Sequence, residues 1–314
     1  MTAADQRPRL FLLINPMSGG GRTKQRAGAL EAAVRRAGFE PEVALTGHPW
    51  HGYALTKGAI DAGHDTIVAC GGDGTLYEAA NAILDLGAAE RVRLGTIPMG
   101  TGKDVAKCLG IGAPSAALSA LKEGLERRID AGRIELVDEH GHPRVRHFLL
   151  EASAGWVPEI SRSVPRWLKR AGDTAPYLIM TGVKMLGPMT RHFDLAIDGE
   201  DLSDDYNSVS VHNMELWGGD LTVAPGALPD DALLDVIRWG NLGRRAVLAA
   251  VDGQRKGGTH LEMKGIDHHR AATVTMSASR KSTVDLDGEF GGYLPATVSV
   301  VPGALRFIAP PPAG

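Results

Sequence analysis

Through the first 130 residues, short apolar runs alternate with longer segments whose apolar positions recur every three or four residues. The runs RLFLLIN (9–15), EVALT (42–46), TIVA (66–69) and RLGTIP (93–98) predict strands. The periodic segments predict helices. In TKQRAGALEAAVRRAG (23–38), Ala27, Leu30, Val34 and Ala37 line one face and Gly38 supplies a C-terminal stop. Further helices are expected from about Trp50 to Ala62, over TLYEAANAIL (75–84), opening at GKDVAKCLG (102–110), and over SAALSALKEGLERR (115–128). In the last of these Leu118, Leu121 and Leu125 share a face. Strands alternating with helices of this length predict an α/β domain with a mostly parallel sheet and helices on both faces.

After about Asp130 the rhythm changes to strand after strand with turns between. The pieces are RIELVDEHGHPRVRHFLLEAS (133–153), HFDLAIDGED (192–201), NSVSVHN (207–213), LLDVIRW (233–239), TVTMSA (273–278), STVDLDG (282–288) and ATVSVV (296–301). They predict a second, mainly antiparallel domain. Two stretches within it read as helical, roughly 164–186 and 244–255.

A length of 314 residues accommodates two such domains, and 43% hydrophobic with 23% charged residues fits a globular chain. With 34 basic and 37 acidic residues the net charge is −3, which does not mark a nucleic-acid binder. Cys70 and Cys108 make no metal spacing and read as reduced, buried thiols. No apolar run reaches about 18 residues and the N-terminus lacks a signal-peptide core, so neither export nor a transmembrane segment is expected.

Three loops fall where strands lead into helices on one edge of the predicted sheet: NPMSGGGR (15–22), GGDGT (71–75) and PMGTGKD (98–104). Ligands of open parallel sheets bind at that edge. Glycine lets backbone N–H groups approach an anion, and each following helix offers its free N-terminal N–H groups. Three such loops in succession favour phosphate binding over three purely structural turns. The spacing is neither that of a P-loop nor of a dinucleotide fingerprint. Two acids, Asp73 and Asp104, sit within these loops, and acids beside phosphates imply a bridging cation such as Mg²⁺.

These loops, with GGDGTLYEAANAIL (71–84) and LGTIPMGTGKDVAKCLGI (94–111), resemble the signature segments of the diacylglycerol kinase catalytic domain family, in its soluble bacterial lipid kinase branch. RRIDAGRIE (127–135), APGALPDDALLDVIRW (224–239) and VDLDGEF (284–290) continue the resemblance from about residue 9 to 310. It implies a nucleotide-binding domain at 8–132 plus about 303–311, and a β-sandwich lipid-substrate domain at 133–302. It further implies ATP at Asn15, Pro16, Ser18, Gly19 and Gly20, at Thr46, at Gly71, Gly72, Asp73, Gly74, Thr75 and Glu78, and at Gly100, Thr101 and Lys103. Asp73, Asp104 and Asp130 match a water-and-Mg²⁺ network. Leu228, Asp231 and Leu233 match a second, structural Mg²⁺ site built from two carbonyls and one carboxylate. Asp287 and Glu289 match the acids that deprotonate the attacking hydroxyl. The implied activity is transfer of the ATP γ-phosphate to diacylglycerol or a similar lipid alcohol at a membrane surface, in a cytoplasmic protein serving phospholipid metabolism, with a homodimer as one allowed assembly. NAD kinase-like chemistry and a catalytically silent relative are the competing readings.

Asp287 and Glu289 are two apart, which on a strand would aim both at one face; taken alone, DGE also reads as a hairpin turn, as it does at 198–200. The chain departs from the family pattern twice: Lys103 stands where asparagine is usual, and Ala232 where a glycine follows the aspartate. A lysine at 103 reaches a phosphate or pairs with Asp104. Histidines 140, 142 and 147 and the DHH at 267–269 read as surface hairpins. The basic segment 162–186 reads equally as a membrane-contacting face or a packed helix, and Trp50, Trp156 and Trp217 as lipid-cleft or packing residues.

Overall fold

The computed structural model describes residues 7–163 and 187–312. The chain divides into two compact units, Met1–Ala131 with Pro302–Gly314, and Gly132–Val301.

The first unit is an α/β layer. Its elements are β1 (Arg9–Ile14), α1 (Arg22–Arg36), β2 (Glu40–Leu45), α2 (His51–Asp61), β3 (Thr66–Gly71), α3 (Asp73–Asp85), β4 (Arg93–Pro98), α4 (Asp104–Cys108), α5 (Pro114–Glu123) and the start of β5 (Arg127–Val137). Strands β2, β1, β3 and β4 lie side by side in that order, all parallel, with Leu12 opposite both Val43 and Val68 and Ile67 opposite Leu94. Arg306 and Phe307, at the end of the last strand of the chain, extend this sheet beyond β4 by pairing in parallel with Arg93 and Leu94. Strands β1 and β3 are buried almost throughout, as expected of a parallel sheet covered on both faces.

One helix boundary differs from the expectation. The helix over 115–128 ends at Glu123, because Gly124 adopts a left-handed conformation (φ 66°) and Leu125 returns its N–H to Ala120. Leu125 therefore does not extend the apolar face, and Arg127 already opens β5. The free thiol Cys70 is buried, while Cys108 is only part-buried.

The second unit is a mostly antiparallel β-sandwich. It contains the rest of β5, then β6 (Pro143–Phe148), β7 (Glu151–Gly155), α6 (Trp156–Ser163), β8 (Arg191–Ile197), β9 (Glu200–Asp201), β10 (Asp204–Tyr206), β11 (Ser208–His212), β12 (Leu216–Trp217) and β13 (Leu221–Thr222). There follow β14 (Leu234–Trp239), α7 (Arg244–Arg255), a 3₁₀ turn (Thr259–Glu262), β15 (Ile266–Ala271), β16 (Thr273–Ala278), β17 (Thr283–Leu286) and β18 (Glu289–Phe307). One run of strands is β15–β14–β11–β7–β17–β18; β16 pairs with β18 and β8. The expected helix at 244–255 is α7. The one expected near 164–186 lies outside the described residues. The DHH at 267–269 is not a hairpin but lies within β15, where His268 pairs with the buried Asp235 at 2.6 Å. Trp156 and Trp217 belong to an apolar core with Ile237, Trp239 and Val247.

Candidate active site

Because β1, β2, β3 and β4 run in parallel, the loops that follow them leave one sheet edge together. Backbone hydrogen bonds stitch those loops: Asn15 N–H donates to Cys70, Thr46 N–H to Ile14, Gly100 N–H to Gly71, and Asp73 N–H to Gly102. The glycines of the second and third loops allow this approach of backbone to backbone. A Cβ on Gly100 would stand 2.5 Å from the Gly72 Cα, and one on Gly72 2.8 Å from the Gly102 oxygen. Gly20 and Gly21 differ. Both are left-handed (φ 70° and 84°), and a Cβ there meets nothing within 4 Å, so their backbone faces open space at the start of α1.

The side chains expected at the nucleotide divide into clamps and exposed groups. Asn15 donates to the Thr75 hydroxyl at 3.2 Å and accepts from Met17 N–H at 3.0 Å, fixing the first loop to α3. Thr101 is exposed, and Pro16, Ser18, Thr46 and Gly74 are half-buried. Glu78 is used structurally. Its carboxylate accepts N–H groups of Trp50 and Gly52, both at 2.7 Å, which caps the N-terminus of α2.

The two loop acids are joined. Asp73 accepts N–H groups of Asp104 at 3.0 Å and Val105 at 3.3 Å, capping α4 from the neighbouring loop. Burial pushes its carboxyl up to about 6; those N–H groups pull it down, and the charge on Asp104 pushes it further up. Asp104 is buried and lies 3.5 Å from the Lys107 ammonium. Asp130, also buried, accepts Gly303 N–H at 2.7 Å. Among the described residues no group of three or more acids, histidines or cysteines is placed to hold a metal. Asp73 and Asp104 nevertheless suit Mg²⁺, which typically takes one or two carboxylates and completes its shell with water and phosphate. A divalent cation would relieve the repulsion between them. Lys103 makes no ion pair among the described residues; the lysine on Asp104 is Lys107.

The DGE turn of the second unit does not put its two acids on one face. Asp287 (φ 52°) and Gly288 (φ 85°) are the two loop residues of a tight hairpin in which Leu286 pairs with Glu289. Strand alternation stops there, so spacing by two has no facial meaning. The Asp287 carboxylate accepts N–H groups of Leu149, Leu150 and Glu151 at 2.8–2.9 Å, while Glu289 is exposed at the start of β18. Asp198 and Gly199 build the same turn (φ 47° and 85°), with the Asp198 carboxylate accepting from Ala272 and Thr273. Asp287 therefore acts here as a strand-joining cap, like its counterpart at 198.

Behind this turn lie two acids that the sequence reading missed. Glu151 and Asp285 are buried and held together by strand pairing, with Asp285 opposite Ser153 and Asp287 N–H bonded to the Glu151 carbonyl. Burial pushes Asp285 up to about 7, with the Glu289 and Asp287 charges adding to it. Burial and then the Asp285 charge push Glu151 well up. Two carboxyls in one dry site share protons instead of both ionising. The alternation of EASAG and VDLDG, which points Glu151, Ser153 and Asp285 inward, was the available signal.

In the loop expected to hold a structural metal, Asp231 accepts Leu233 N–H at 3.0 Å with one carboxylate oxygen, and the Arg270 guanidinium lies against the other. Ala232 is left-handed (φ 61°) and Leu228 is 50% exposed. With both oxygens of Asp231, the carboxylate the resemblance assigns to the metal, already engaged, this loop does not fit the metal.

Residues 9–134 match the diacylglycerol kinase catalytic domain, and residues 153–309 the YegS C-terminal NAD kinase beta sandwich-like domain. The chain is 30% identical over 302 residues to a diacylglycerol kinase of Mycobacterium tuberculosis, covering 95% of this chain and 94% of that protein. It belongs to the diacylglycerol kinase family. Two Bacillus anthracis crystal structures superpose on this diacylglycerol kinase family member with TM-scores of 0.79 and 0.71, at 23% and 19% identity. The alignments cover 99% and 97% of this chain and 98% of each partner, and the second is of a diacylglycerol kinase. A yeast NADH kinase shares the fold more distantly, with TM-score 0.52 at 10% identity over 95% of this chain and 79% of that one. Membership makes the chain a lipid kinase.

Proposed function

We propose that this lipid kinase transfers the γ-phosphoryl group of ATP to the hydroxyl of diacylglycerol or a similar lipid alcohol at a membrane surface. In this reading the unit Met1–Ala131 with Pro302–Gly314 binds the nucleotide, and the unit Gly132–Val301 accepts the lipid. The observation that carries the reading is the Asp73 clamp: one carboxylate ties the second glycine loop to the third and leaves two acids together where phosphates would lie. The open space beside Gly20, at the start of α1, supports phosphate contact there. That Lys103 makes no ion pair among the described residues supports its use on a phosphate. Mg²⁺ held by Asp73 and Asp104 would neutralise phosphate charge, while Asp130 buttresses the unit through Gly303.

Glu289 is the proposed base. As the lipid oxygen bonds to the γ-phosphorus and the bond to the β-bridging oxygen breaks, the hydroxyl proton passes to the Glu289 carboxylate and ADP departs. Asp287 keeps the turn in shape. Radiolabelled Mg-ATP with diacylglycerol, phosphatidylglycerol, sphingosine, ceramide and NAD tests this. A labelled lipid is expected, with Glu289→Ala slower by about 10²-fold or more. Labelled NADP would transfer the protein to nucleotide chemistry. ATP binding with no acceptor labelled, relieved in Lys103→Asn, would make it a silent relative.

A further inference from the structure

The family resemblance implies a cation at the loop 228–233, and the loop already has one. We propose that Arg270 is the fixed cation of this loop and stands in the place of a divalent metal. The register of β14 and β15 puts Arg270 directly opposite Asp235, so the position of the guanidinium is set by the sheet. From there it lies against one oxygen of Asp231, and its Nε is 3.9 Å from Asp235 Oδ1. Asp235 is buried and is shared with His268 at 2.6 Å. The other oxygen of Asp231 accepts Leu233 N–H, closing a local turn within the loop.

The charge accounting favours arginine over Mg²⁺. Two carboxylates, Asp231 and Asp235, flank one guanidinium that is always charged and cannot dissociate. Mg²⁺ would have to displace that group from Asp231, whose other oxygen is held by Leu233 N–H, and shed part of its own water shell to find octahedral ligands there. The second departure of this chain agrees. Ala232 occupies a left-handed position where glycine would be unstrained, so the loop retains a strained turn without that glycine. This loop thus owes nothing to metal for its folding.

Thermal unfolding of the full chain without nucleotide reads this directly and needs no kinase activity, so it stands whichever acceptor the enzyme uses. The wild type is expected to unfold at the same temperature, within about 1 °C, in EDTA and in 5 mM MgCl₂. Arg270→Gln is expected to lower Tm by about 2–4 °C in EDTA, and Mg²⁺ is expected to recover part of that loss at the vacated carboxylate. A wild-type Tm that falls in EDTA, recovers in MgCl₂ and loses this response in Asp231→Asn would overturn the proposal. Should Arg270→Gln fail to fold, the comparison of wild type with Asp231→Asn decides alone. A metal response equal in both comes from other acids and upholds the assignment.

Discussion

Asp73 carries a penalty in the nucleotide-free protein that its replacement should reveal. Raising a carboxyl from its ordinary 3.8 to about 6 corresponds to about 3 kcal/mol against the ionised form at pH 8. Asp73→Asn removes the charge and keeps one carbonyl oxygen for one of the two N–H groups it caps. The other N–H loses its acceptor, at a cost of about 1–2 kcal/mol. The variant should therefore be more stable by about 1–2 kcal/mol at pH 8, or roughly 3–6 °C in Tm. The folded state binds the proton more tightly than the unfolded, so the wild type gains relative stability as pH falls from 6 towards 4. By pH 5 the penalty is about half its pH 8 value, and the advantage of the variant should shrink to about zero. Calorimetry in EDTA without nucleotide, at pH 8 and pH 5, measures this. Phosphoryl transfer by the variant should drop by about 10²-fold or more, because stability and function draw on the same carboxylate in opposite senses. An Asp73→Asn protein less stable than wild type at pH 8, or with a gain that persists unchanged at pH 5, refutes the reasoning.

The buried pair in the second unit predicts another pH effect. The folded state holds the Asp285 proton up to about pH 7, whereas the unfolded chain releases it near 4, so stability falls as pH rises through that window. Asp285→Asn should remove about 1.4 kcal/mol per pH unit of that slope, seen in urea unfolding at pH 5 and pH 7; parallel slopes would contradict the shared proton. Gly100→Ala puts a Cβ 2.5 Å from the Gly72 Cα and should cost about 1–3 kcal/mol while weakening ATP binding measured by calorimetry. Ala232→Gly relieves a left-handed alanine and should stabilise by about 1 kcal/mol with turnover unchanged; an unchanged denaturation midpoint would show that the loop carries no strain.

Sequence pattern located the glycine loops well because each follows a strand whose apolar run is local information. It explained their glycines only in part. Gly20 and Gly21 face open space, whereas Gly72 and Gly100 are required by contact between two loops, which no single segment announces. The facing of the two acids of the DGE turn was misread for a related reason. Whether Asp287 acts as base or as cap depends on Leu149, Leu150 and Glu151, more than 130 residues away. Its twin at Asp198 showed the same local spelling. Glu78 likewise reads as a nucleotide residue until Trp50 and Gly52 are seen donating to it. Gly124 was a local signal and was overlooked: a left-handed glycine ended the helix that leucine periodicity alone would have continued.

The first unit is discontinuous, and this dictates the order in which it can be made. Phe307 pairs with Leu94, and Gly303 donates to Asp130, yet about 170 residues of the second unit separate them in the chain. At about 5–20 residues per second, a ribosome needs roughly ten to thirty seconds to bridge that interval. Throughout it, the nascent parallel sheet of the first unit carries an open edge at β4, whose backbone groups await a strand not yet synthesised. Deleting only the residues from Arg306 onward would leave that edge permanently exposed, and the damage would fall on the unit encoded first.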